Sequence, residues 1–218
     1  MKLSQNDLVW YGRNFTKDNV TYFDYSASGF EFCFTGTKAQ MTILSDSANW
    51  NEENKGVLGI YVSKINPSDY KGNSLWNDFP EDVTKKIFLN EYENKILLFE
   101  SEKQETVLMR VLKLSECAFG YAGLADLQID GELVKPTQRE DDALKIEFIG
   151  DSITCGYGIE GVWNVDTFST KTERADKSYA FLTAKNLNAK FHLVKDGKFF
   201  VVRDTSDNKY KELNDFGK

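Results

Sequence analysis

Gly150, Asp151 and Ser152 close an apolar run from Ile146 to Ile149, and that order of residue types suits acyl transfer. A strand that ends in a sharp turn presents a side chain and free backbone N–H groups above a sheet edge. Ser152 Oγ would attack an acyl carbon, while the Ser152 N–H, between its flanks Gly150 and Asp151, would hold the developing oxyanion. A serine hydroxyl at neutral pH is a weak nucleophile and needs a base, most often a histidine. The chain has one histidine, His192, and runs to Lys218. Thr154 stands where a strand–turn–helix nucleophile elbow needs its second glycine, so that motif is excluded.

Other side chains invite chemistry less strongly. Trp163 lies between the serine turn and the next helical pattern, where a loop over a crevice would run, and is expected to face substrate or a domain interface. Trp10, Trp50 and Trp76 could stack on sugar rings, though Trp10 and Trp50 read better as packing residues. Asp166 reads as a solvated carboxylate, and Glu140 to Asp142 as an acidic stretch of linker. Cys33, Cys117 and Cys155 are odd in number and far apart, which fits neither a disulfide framework nor a zinc site. No metal and no organic cofactor is expected.

The elements that must position Ser152 come in two styles. As far as about Lys135 the chain reads as strand after strand. Phe30, Phe32 and Phe34 alternate onto one face, Met41 and Ile43 repeat the pattern, and Gly56 to Val62 suits a strand covered on both sides. Further candidates are 86–89, 96–99, 106–112 and 124–130, the last running into the two-residue turn signal Asp130-Gly131 before Glu132 to Val134. This predicts an all-β sandwich over residues 1–138, most simply a jelly roll. After the proline-headed polar stretch 136–142 the pattern changes. A strand at 146–149, a helix over Ser178 to Leu187 with Ala180, Ala184 and Leu187 on one face, and a strand at 191–194 make a βαβ unit opening an α/β domain at 143–218.

Sixteen Phe, ten Tyr and four Trp against three Pro favour strands. A net charge of −7 without a basic run argues against nucleic acid as a partner. No apolar run is long enough to span a bilayer, and the first residues lack a secretory core. As written the chain reads as soluble and cytoplasmic; a mature secreted form would look the same at its N-terminus.

The block from Gly150 through Cys155 to Gly158 resembles the first sequence block of SGNH (GDSL-type) hydrolases, specifically the acetyl esterases of carbohydrate esterase family 2. The resemblance continues through 161–170, 177–184 and 192–194. It also runs backwards through 11–13, 34–37, 113–120 and 129–131, so that it covers residues 8 to 194. It implies a jelly roll followed by an SGNH domain that removes acetyl groups from acetylxylan or related O-acetylated saccharides, with Ser152 as nucleophile. The family's second-block glycine has Phe200 in its place, with Gly197 available only after a shift of register. The third-block asparagine and the final Asp-x-x-His have no counterpart. His192 follows Ala189 rather than an aspartate at the needed spacing and corresponds to a structural strand residue. The resemblance therefore implies a C-terminally truncated member, inactive or weak as this chain. The competing reading is a non-catalytic carbohydrate-binding or interaction β-sandwich.

Overall fold

Strand β4 (Gly29–Leu44) organises the molecule because other strands pair along both of its edges. The computed structural model describes residues 1–70, 72, 80–136 and 144–195. One edge of β4 pairs antiparallel with β7 (Glu93–Lys113) along its length. The other edge carries in succession β1 (Val9–Tyr11), β9 (Glu132–Val134) and β8 (Gly123–Ile129). β5 (Gly56–Lys64) lies on the far side of β7 and pairs with β6 (Lys85–Leu89). β2 (Phe15–Lys17) and β3 (Val20–Tyr22) extend the sheet beyond β8.

The core follows from residue alternation. Phe30, Phe32 and Phe34 in the first half of β4 join Ala39, Met41 and Ile43 in the second half in a single buried cluster. Even-numbered residues point inward before Gly36 and odd-numbered ones after Lys38, so the strand changes face between them. A register break there leaves 101–104 of β7 outside the pairing, since Gly36 opposes Glu105 while Lys38 opposes Glu100. The two halves of the sheet thereby close over one apolar interior. Burying each of these large side chains contributes about 1.5–3 kcal/mol.

Asp130-Gly131 does not make the two-residue hairpin that its sequence suggests. β8 and β9 do not pair with each other; they follow one another along the same edge of β4. Asp130 turns its carboxylate onto the β4 break, where Oδ1 accepts from the Thr37 and Lys38 N–H groups at 2.8 Å each. Glycine is required at 131 because a Cβ there would sit 1.9 Å from the Thr35 carbonyl oxygen. The turn residues serve a bulge, which resembles a hairpin signal in composition.

The second region is a parallel pair. β10 (Lys145–Gly150) lies beside β11 (Lys190–Lys195), and α1 (Tyr179–Asn186) makes the crossover. Ser178 caps α1 by accepting the Phe181 N–H at 3.2 Å. Ala180, Phe181 and Ala184 form the buried face, while Leu187 is 53% exposed. Leu187 was expected on that face, but it lies just past the last helical residue, where the backbone has left the helix. The buried face packs with Phe191 and Leu193, and with Tyr11, Ala27, Tyr61 and Leu112 of the large sheet. No helix among the described residues is long and apolar enough to cross a membrane. Trp76, the acidic stretch 140–142, and Gly197, Phe200 and the rest of 196–218 lie outside the described residues.

Candidate active site

Ser152 stands two residues beyond the last residue of β10, at the carboxyl end of the parallel pair. No helix follows it directly. The chain winds instead through consecutive turns, with Thr154 N–H bonding Asp151 O, Cys155 N–H bonding Ser152 O and Gly156 N–H bonding Ile153 O, all at 3.1 Å. Tyr157 N–H returns to Ser152 O at 2.9 Å. The Asp151 carboxylate takes the Ile153 N–H at 3.0 Å. Every amide from 153 to 157 is thus engaged. The Ser152 N–H and Oγ have no hydrogen-bond partner among the described residues, and the side chain is half-buried. Asp151 positions this turn through its side chain, and Gly150 makes room for it. A Cβ at Gly150 would lie 2.1 Å from Thr154 Oγ1 and 3.1 Å from Thr154 Cβ. Thr154, in the position that breaks the elbow motif, is buried and shares a 3.0 Å hydrogen bond with the Tyr179 hydroxyl of α1.

His192 does not approach Ser152. It pairs with Glu147, whereas Gly150 pairs with Lys195, so the imidazole stands three residues back from the strand end. At about 3.3 Å per residue that is roughly 10 Å. Its Nδ1 lies 3.9 Å from Glu147 Oε1, and Arg13 from the connection between β1 and β2 binds the same oxygen. Burial and the neighbouring Arg13 lower the His192 pKa, and Glu147 only partly offsets them. Cys155, next to the serine, is also no nucleophile, since burial raises its thiol to about 12.

The serine turn is fixed from Arg174, well downstream in the chain, which sequence reasoning missed. Arg174 N–H bonds the Gly156 carbonyl at 3.0 Å. A Cβ at Gly156, where φ is +84°, would sit 2.3 Å from the Arg174 carbonyl oxygen. The Arg174 guanidinium grips Asp176 with two parallel bonds of 2.8 Å, and Asp176 also accepts from the Tyr61 hydroxyl of β5 at 2.7 Å. Arg174 further binds Glu160, which Lys86 of β6 holds at 2.6 Å. Burial opposes the charge on Glu160, yet the bonds from Lys86 and Arg174 outweigh it and hold its carboxyl below the usual range. Nothing in the run 173–177 separates these residues from an ordinary polar loop, because charged residues near a turn read as solvated.

Trp163 lies on the segment 161–168, which stands out from the body and shapes a groove with Tyr157, Asn164 and Phe168. It is 87% exposed, with Val162 at 60% and Val165 at 72%. Asp166 closes this segment by accepting the Val162 N–H at 2.7 Å. Phe168 stacks on Tyr157 at 5.4 Å and reaches Phe119 at 5.0 Å, which in turn meets Trp50. The base of the segment is tied down, with Glu160 N–H on Thr172 O at 3.0 Å and Thr170 N–H on Glu53 O at 2.8 Å. Trp10 packs on Phe23 and Phe30.

No family model matches the chain. The cellulase/esterase CelE of Acetivibrio thermocellus is 29% identical over 192 residues, covering 86% of this chain and 20% of that protein. A family two carbohydrate esterase from Cellvibrio japonicus superimposes with a TM-score of 0.71 at 22% identity, over 91% of this chain and 52% of its own. A family two carbohydrate esterase from Clostridium thermocellum, solved with cellohexaose, gives a TM-score of 0.68 at 26% identity, over 86% and 50% of the two chains. The chain resembles the family 2 carbohydrate esterases and spans about half the length of these solved relatives.

Proposed function

We propose that this chain provides the nucleophile and one oxyanion donor for hydrolysis of O-acetyl esters on saccharides. The frame would be an N-terminal jelly roll over 1–138 joined to an SGNH portion over 143–218. The observation that carries the reading is Ser152 itself, whose hydroxyl and amide have no partner among the described residues at the end of a parallel strand, in a chain that resembles family 2 carbohydrate esterases. Ser152 Oγ attacks the acetyl carbon and passes its proton to a base, and the Ser152 N–H meets the oxyanion. The sugar oxygen leaves with that proton, and water then cleaves the acetyl–serine ester.

The base is the unmet requirement. His192 is the one imidazole of the 218 residues, and the β10–β11 register places it opposite Glu147, three residues behind the strand end. Losing the histidine of a serine hydrolase costs about 10⁶ in rate. The 218-residue polypeptide alone is therefore slow or inactive, and an external base should restore part of its rate. The test is hydrolysis of acetylated xylan and of an aryl acetate, compared with Ser152→Ala, with and without added imidazole. We expect the wild type to match the variant without imidazole and to exceed it with imidazole. Equal rates for both proteins under both conditions would remove Ser152 from the chemistry.

A second reading, non-catalytic saccharide binding, is favoured by the exposure of Trp163 beside a groove and by the cellohexaose complex of the Clostridium thermocellum relative. Retardation on xylan or glucomannan gels that survives Ser152→Ala and disappears in Trp163→Ala would support it. Unretarded migration of the wild type would exclude it.

A further inference from the structure

The seam between the serine turn and the large sheet contains a carboxyl group with an incomplete set of partners. Glu173 is fully buried. Its Oε2 accepts the Glu116 N–H at 2.9 Å, while its Oε1 has no hydrogen-bond partner among the described residues. Lys113 of β7 is nearby and also fully buried, but its ammonium is committed elsewhere. It donates to the Glu116 carbonyl at 2.8 Å, lies 3.5 Å from Asp24 Oδ1, and forms no ion pair with Glu173. The other groups bearing on Glu173 are Lys86 of β6 and the Cys155 thiol of the serine turn. Glu116 is buried as well, and the guanidinium of the adjoining Arg174 is turned to Asp176 and Glu160.

Residues 173–175 form the hinge pin of this seam. Glu173 binds Glu116, Ala175 N–H binds Leu114 O at 3.1 Å, and Arg174 N–H binds Gly156 O at 3.0 Å. Two of these bonds hold the large sheet and the third holds the turn that presents Ser152. A neutral carboxyl costs less than an ionised one in such a place, because protonation removes the buried charge. An ionised one leaves a charged oxygen with no donor, a state relieved by admitting water. The bonds of 173–175 to 114–116 are among the contacts that enclose Glu173, so admitting water there would part them, and Gly156 is bonded to the same segment.

We infer that Glu173 is a proton-operated latch: neutral, it clamps the serine turn to the large sheet, and on ionisation it lets that turn go. Burial, partly offset by Lys113 and Lys86, places its titration at about 8 rather than at 4.5. The direction follows from linkage. A carboxyl whose folded pKa is raised favours the closed seam below its ordinary value, and that preference is lost as pH rises toward the folded value.

The test is hydrogen exchange on the full 218-residue chain, followed at the amides of Glu116, Arg174 and Ala175 and corrected for intrinsic rates. Wild-type protection should fall by about tenfold per pH unit between roughly pH 5 and 8 and then level off. In Glu173→Gln, which keeps an acceptor for Glu116, protection should not vary with pH. A flat wild-type profile, or an unchanged slope in the variant, overturns the latch. If the variant does not fold, ¹³C titration of the wild-type glutamate carboxyls decides the question. One of them must titrate near 8, and a set that titrates entirely around 4.5 rejects the inference.

Discussion

Replacing Arg174 by methionine should destabilise the protein by about 3–5 kcal/mol, the usual cost of breaking a buried ion pair by removing one partner. The side chains of Arg174 and Asp176 are 3% and 2% exposed, so almost no water can replace the lost bonds. The substitution removes the two-bond fork and leaves the Asp176 carboxylate with only the Tyr61 hydroxyl from the network described above. The contact with Asp82 adds little, because that side chain is 70% exposed and solvent screens the pair. Urea unfolding of Arg174→Met, Asp176→Asn and the double variant closes a thermodynamic cycle. The double variant should lose about 2 kcal/mol less than the sum of the singles, since its buried groups no longer include an unpaired charge. Arg174→Lys should recover only part of the loss, because an ammonium cannot reproduce the planar fork. A loss below about 1 kcal/mol for Arg174→Met, or additive singles, would refute the view that this pair holds the serine turn in place.

Two further outcomes test the local geometry. Gly150→Ala should cost about 1–3 kcal/mol in urea unfolding, because its Cβ would stand 2.1 Å from Thr154 Oγ1. Asp130→Ala should lower the urea midpoint, since the Thr37 and Lys38 N–H groups lose their acceptor. Asp130→Asn should cost less, because it retains one amide oxygen.

The alternation of Phe30, Phe32 and Phe34 and the continuous apolar run at 57–62 were legible, because period-two patterning survives any tertiary context. What was not legible was that 29–44 is one strand. Gly36 and the polar Thr37 and Lys38 interrupt the pattern, and only Asp130, more than 90 residues away, makes that interruption a bulge. The turn after β10 was readable from Gly150 to Ser152, and the place of His192 within a strand from its apolar neighbours. The clamp on that turn was not. Tyr61 and Asp176 are 115 positions apart, and Glu173 and Glu116 are 57 apart. Local sequence carries no record of which charged residue will be enclosed by a distant strand. The buried face of α1 shows the same limit on a smaller scale. Periodicity alone extended it to Leu187, whereas the helix stops at Asn186 and Phe181 takes the inward position.

The closed base of the segment 161–168 has an evolutionary corollary. With Glu160 tied to Thr172 and Thr170 tied to Glu53, whatever lies between them is a detachable cartridge. Doubling such a loop costs only about 0.6 kcal/mol in closure entropy. Insertions, deletions or a different aromatic in place of Trp163 would leave the Gly156–Arg174 bond undisturbed. Descendants of this scaffold can therefore vary that segment without altering how the turn that carries Ser152 is held.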